Sequence, residues 1–158
     1  MKTLGFIILA AALTGLAFVA IPHKNKVETN IQNNNLKETS KTQGVIFQNI
    51  TFNEALKKAK DENKLIFMNV YAVWCGPCKM LKNTTFKSAQ VADLLNKNFI
   101  NLDIDAEKGE GIELAERYNV EAHPLMLLID ANGKVIKSIL GYRKDAQLLS
   151  EVKDFVKK

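Results

Sequence analysis

The chain has 158 residues, 47% of them hydrophobic and 25% charged, proportions that fit one soluble globular domain with additional segments. Its formal net charge of +5 divides into +3 over residues 1–43 and +2 over the remainder, so the folded part lacks the concentrated basic face of a nucleic-acid binder. Its only two cysteines, three positions apart, exclude a disulfide-stapled scaffold, and no internal repeat is present.

Lys2 precedes an apolar run of 18 residues from Leu4 to Ile21. A positive start followed by an apolar stretch is the pattern of a secretory signal, with small residues at Gly15 and Ala17 offering a cleavage site. The length is also at the short end for a membrane-spanning helix, so residues 1–21 read as a signal peptide or an anchor. Residues 22–43 are rich in Asn, Lys, Thr and Gln, as in Asn30-Ile31-Gln32-Asn33-Asn34-Asn35. Such a segment buries too little apolar area to offset the entropy of ordering it, and it reads as a polar tether. Residues 44–158 form the folded domain.

Val45-Ile46-Phe47 is a short apolar run, expected as a first strand. Thr51 and Glu54 have capping-box spacing, and a helix follows to about Asn63. Leu65 to Tyr71 is nearly continuously apolar, as in a strand covered on both faces. Lys79 to Asn83 is expected to be helical, and Ser88 to cap a further helix bearing Val91, Leu94 and Leu95. Phe99 to Ile104 alternates as a strand, and Ile112, Leu114, Ala115 and Tyr118 have helical spacing. Leu125 to Ile129 is another buried strand. Asn132-Gly133 is a hairpin signal leading into a strand over 134–140, and Asp145 is expected to cap a last helix. The order β-α-β-α-β-α-β-β-α predicts an α/β fold, a central mixed sheet with helices on both faces.

The chemistry concentrates in Trp74-Cys75-Gly76-Pro77-Cys78-Lys79, between a buried strand and a helix start. A thiolate there meets the positive end of the helix dipole and free backbone N–H groups, which make Cys75 nucleophilic near neutral pH. Two intervening residues put Cys78 within reach of a mixed disulfide at Cys75. Pro77 suits the first helical turn, where a missing N–H costs nothing. A purely structural disulfide is disfavoured, because closing a loop of about four residues stabilises by only about 2 kcal/mol. A zinc site needs about four ligands, and only His23 and His123 supplement the two cysteines as nitrogen or sulfur donors. No metal and no cofactor are expected.

Together with Tyr71-Ala72 before it, this segment resembles the active site of the thioredoxin superfamily, and the resemblance extends over residues 44–158. His123-Pro124 is similar to the family's cis-proline, and Gly141 to a glycine near the active site. The resemblance implies a thioredoxin-like fold and thiol-disulfide exchange on protein substrates, with Cys75 as the exposed attacking thiol and Cys78 as the buried resolving thiol. Trp74, Gly76, Pro77, His123 and Pro124 are then implied to bind substrate or tune the pair. A lone histidine is ordinarily a core or surface residue. Beside the cis-proline, protonated His123 would stabilise the Cys75 thiolate.

Asn69 departs from the family, which has a buried Asp six residues before the first Cys and a Lys partner, here matched to Asn101. The expectation is that two neutral amides replace that charged pair. The long first helix and Thr84-Thr85-Phe86 resemble exported thioredoxin-like domains that take electrons from membrane reductases. The implied function is disulfide reduction in a periplasm-like, extracytoplasmic compartment, by a monomer with protein disulfide or dithiol partners and a membrane-embedded electron donor. Two alternatives stay open: a disulfide oxidase or isomerase, and a non-catalytic client-binding module.

Overall fold

A computed structural model describes residues 44–156, so the expected signal or anchor and the tether lie outside the described residues. The elements are α1 (Phe52–Asp61), β1 (Leu65–Tyr71), α2 (Gly76–Asn83), α3 (Ala89–Asn98), β2 (Phe99–Asp105), α4 (Glu110–Arg117), β3 (Leu125–Ile129), β4 (Val135–Leu140) and α5 (Asp145–Val152). The strands form one mixed sheet in the order β2-β1-β3-β4. β1 runs parallel to β2 and antiparallel to β3, and β3 pairs antiparallel with β4.

Side chains alternate across a strand, and this alternation divides the core into two layers. Ile66, Met68 and Val70 of β1 pack with Phe52, Ala55 and Ala59 of α1 and Leu114 of α4. Leu65 and Phe67 pack on the opposite face with Leu81 of α2, Val91 and Leu95 of α3, and Leu148 and Val152 of α5. β1 is thus buried on both faces, which is why its sequence reads as an uninterrupted apolar run. This is the α/β thioredoxin fold. Among the described residues no helix is long and apolar enough to cross a membrane.

Local signals place α1. Thr51 Oγ1 accepts the Glu54 N–H at 3.3 Å, and Glu54 Oε2 accepts the Thr51 N–H at 2.8 Å. The Thr51 N–H and the Thr51 hydroxyl, both donating to Glu54 Oε2, hold that carboxyl below its ordinary pKa. At the β3–β4 turn, Asp130 Oδ1 accepts the N–H groups of Asn132 and Lys134, while Gly133 takes a φ of +82° that favours glycine.

Three local expectations are corrected. Val45-Ile46-Phe47 is not a strand. Side-chain amides take the polar groups a ladder would have used: Asn96 Oδ1 accepts the Ile46 N–H at 2.8 Å, Asn96 Nδ2 donates to Gly44 O, and Asn101 Nδ2 donates to Ile46 O. Ser88 occupies the N-cap position of α3 without a capping bond from its side chain. Lys144, not Asp145, precedes α5, and its N–H is accepted by Gln147 Oε1 at 2.9 Å.

Candidate active site

β1 ends at Tyr71, and the chain passes through buried Ala72 and exposed Val73 and Trp74 before Cys75 begins α2 as its N-cap. α2 starts at Gly76, three residues earlier than the side-chain pattern suggests, with Pro77 in its first turn. Cys75 and Cys78 form a disulfide with their Cα atoms 5.3 Å apart. The Cys78 N–H donates to Cys75 Sγ at 3.1 Å, and the Cys75 N–H donates to Ala72 O at 3.1 Å. The sulfur therefore already occupies the position where a helix start offers an unpaired N–H to negative charge.

Both cysteines are buried in this oxidised state, Cys75 at 3% and Cys78 at 2% exposure. The expectation of an exposed Cys75 is corrected here, because the disulfide draws its sulfur into a small cluster with Ala72, Cys78 and Tyr71. The exposed groups of the segment are Trp74, at 67%, with Gly76, Pro77 and Lys79. Trp74 Nε1 donates to Glu107 Oε1 at 2.8 Å, which pins the indole over the loop after β2. The His123 ring meets that indole edge-to-face with centroids 6.0 Å apart.

The His123–Pro124 peptide bond is cis. Pro124 O accepts the Gly141 N–H at 2.8 Å, tying the turn before β3 to the end of β4. His123 Nδ1 is buried without a partner among the described residues. Trp74, Cys75, Gly76, Pro77 and Cys78 are thus contiguous at the α2 start, while His123 reaches them through Trp74.

Comparison with known proteins decides the family. The sequence model of the thioredoxin-like domain matches residues 52–156. The chain belongs to the thioredoxin-like family. It is 36% identical over 97 residues to an H-type thioredoxin of Fagopyrum esculentum, covering 61% of this chain and 78% of that one. It is 33% identical over 85 residues to the thiol:disulfide interchange protein DsbD of Pseudomonas fluorescens, covering 53% of this chain but only 15% of that longer protein. The solution structure of a Bacteroides thetaiotaomicron protein described as a candidate disulphide-isomerase is 43% identical, with a TM-score of 0.65 over 74% of this chain and 97% of that one. With the Cys75–Cys78 disulfide at its helix start, this thioredoxin-like protein is a thiol-disulfide oxidoreductase.

Asn69 and Asn101 are both buried amides, but they do not pair with each other. In the parallel register Asn69 stands opposite Asp103, not Asn101, and its Nδ2 donates to Asp103 Oδ1 at 2.7 Å. Asp103 Oδ2 pairs in turn with Lys82 Nζ of α2 at 2.7 Å, and that ammonium lies 3.1 Å from the centroid of the Tyr71 ring. A carboxylate and a lysine are present, on β2 and α2. Asn101 lies on the same face two residues earlier along β2, and its Nδ2 donates to Ile46 O and Asn96 Oδ1 instead.

Sequence reasoning missed Glu107, Asp103 and Lys82. Lys82 had a usable signal, since it follows Cys78 by four positions and shares its helix face. Asp103 and Glu107 carried none, because their partners are fixed by the register of β1 on β2 and by the loop that follows.

Proposed function

We propose that this thioredoxin-like protein reduces disulfides in protein substrates outside the cytoplasm. The Cys75–Cys78 pair at the α2 start carries the proposal, because there a Cys75 thiolate would keep the N–H bond its sulfur already accepts. The reduced Cys75 attacks one sulfur of a substrate disulfide, and the displaced substrate thiolate leaves with its electron pair. Cys78 then attacks Cys75 in the mixed disulfide. The Cys75–Cys78 bond forms, the second substrate thiolate departs, and the substrate has gained two electrons.

Trp74, exposed beside Cys75, and the His123–Pro124 turn behind it form the surface against which a substrate chain lies, with the exposed Gly76 and Pro77 at its edge. Export rests on Lys2 and the apolar run Leu4–Ile21. The likeness to DsbD supports a membrane-embedded electron donor that returns the disulfide to the dithiol.

Reduction of insulin disulfides by the wild type and its loss in Cys75→Ser test the activity, and retention of activity by Cys75→Ser refutes it. Cys78→Ser should trap substrates as adducts released by a thiol reductant. A second reading, disulfide isomerisation, is favoured by the 43% identity to the Bacteroides protein. Recovery of activity from scrambled ribonuclease, measured beside insulin reduction, separates the two.

A further inference from the structure

Thr84-Thr85-Phe86 follows directly on the helix that carries the cysteines, and the exchange reaction makes no use of it. Thr85 is nevertheless fully buried, at a place where a hydroxyl is costly unless it is hydrogen-bonded. Its Oγ1 donates to Arg143 O at 2.6 Å, in the loop between β4 and α5. Thr84 makes a second bond to the same loop. Its Oγ1 donates to Met80 O of α2 at 2.7 Å, and a hydroxyl has one hydrogen, so in the 3.3 Å contact with Tyr142 the Tyr142 hydroxyl is the donor.

The other end of that loop is fixed to the substrate surface. The Gly141 N–H donates to Pro124 O, and Gly141 takes a φ of +83°, a conformation that favours glycine and turns the chain out of β4. Gly141, Tyr142 and Arg143 are consecutive, so the chain joining the two sets of anchors has little slack, at about 3.8 Å per residue. Tyr142 also packs against the core layer shared by α2, α3 and α5, and Arg143 Nε lies 3.7 Å from Glu151 Oε1 of α5.

We propose that Thr85 is a positioning residue for the exchange reaction: by holding Arg143 O it clamps the 141–143 loop to the end of α2, and so fixes the placement of the His123–Pro124 turn relative to the Cys75–Cys78 pair. The proposal rests on the reading above that a substrate chain lies against this turn. The helix α2 carries the cysteines at its start and the threonine clamp just past its end. The loop carries the turn through Gly141. Both parts of the substrate surface are therefore tied to one short bridge. Phe86 anchors the clamp in the core, with edge-to-face contacts to Phe47 at 5.1 Å and Phe67 at 6.0 Å.

A clamp of this kind acts on binding rather than on the sulfur chemistry. Both cysteines sit at the start of α2, and loss of the clamp leaves their mutual geometry intact. What it loosens is the turn against which a protein chain must lie before Cys75 reaches its disulfide. Such a loss raises KM and leaves kcat unchanged.

The test compares full-length Thr85→Val with the wild type by amide hydrogen exchange in the oxidised state and by insulin reduction. Valine keeps the shape of the side chain and leaves Arg143 O without its donor. Exchange of the Gly141 amide should accelerate about threefold to tenfold more than that of the β1–β3 ladder amides, the equivalent of one net hydrogen bond. The ladder amides report any general loss of stability. The insulin KM should rise by a similar factor at unchanged kcat, and Thr85→Ser should restore both values. A Gly141 amide that exchanges no faster than the ladder, an unchanged KM, a loss in kcat instead, or no rescue by serine each overturns the proposal. Should Thr85→Val not fold, Tyr142→Phe, which removes the exposed bond to Thr84, carries the same two readouts in the same direction. The exchange measurement needs no turnover. Absence of insulin reduction in the wild type would remove the function, whereas an unaltered Gly141 amide would remove the clamp and leave the function standing.

Discussion

Reducing the Cys75–Cys78 disulfide should destabilise the protein, and the size of the effect bears on the direction of exchange. The bond closes a loop of about four residues, for which the loop-entropy relation gives about 2 kcal/mol of stabilisation through the unfolded chain. Reduction also creates a gain. A Cys75 thiolate would sit at the start of α2 and accept the Cys78 N–H, worth about 0.5–1 kcal/mol from the helix dipole. The oxidised form is therefore expected to be more stable by about 1–1.5 kcal/mol, with a urea midpoint higher by roughly 0.5–1 M. Stability and potential are linked through the same cycle. A native state that stabilises the disulfide has a lower potential than the unfolded dithiol, by about 30 mV for each 1.4 kcal/mol. Parallel urea titrations of the oxidised and fully reduced protein measure the difference. A reduced form as stable as the oxidised form would leave the potential at that of the unfolded dithiol, and a more stable one would raise it; either result refutes the reasoning.

Phe67→Ala should cost about 3–5 kcal/mol in chemical denaturation, because Phe67 is fully buried between α2, α3 and α5 and meets Phe86 edge-to-face. Gly111→Ala should also destabilise the fold, since an added Cβ would fall 2.9 Å from the Asp105 carbonyl carbon; the displaced loop should release Glu107 and change Trp74 fluorescence. Asp130→Asn should flatten the acid side of the stability profile. Its carboxyl is held below the ordinary range chiefly by the Lys134 N–H, so its contribution is present above the unfolded pKa and lost as pH falls through the folded one. Urea midpoints across the acid range, compared with wild type, check this.

The parts of the fold legible in the sequence are those specified by neighbours along the chain. The Leu65–Tyr71 run, the Thr51–Glu54 capping box and the Cys-Gly-Pro-Cys turn each depend on a few consecutive residues. What stayed hidden depends on partners distant in sequence. Val45-Ile46-Phe47 has strand composition, yet Asn96 and Asn101, about fifty residues away, capture its backbone groups. The Asp103 partner of Asn69 stayed hidden because a neighbour across the parallel ladder can be assigned only once β2 is in register. Cys75 is buried in the disulfide-bonded pair, a burial that no residue pattern encodes.

The placement of charge around the site follows from what each redox state needs. The disulfide carries no charge, and its immediate neighbours are Ala72 and the Tyr71 ring. An apolar pocket of this kind holds the oxidised pair at little cost but would resist a thiolate. The ionic groups stand one layer out: Lys82, with Asp103, beyond the Tyr71 ring, and Glu107 beyond the indole. A charge at that remove interacts weakly with a neutral disulfide and more strongly with a sulfur that ionises. Substitutions at these positions should therefore change thiol titration and exchange rates more than the stability of the oxidised protein, whereas substitutions at Phe67 or Gly111 should lower its stability directly.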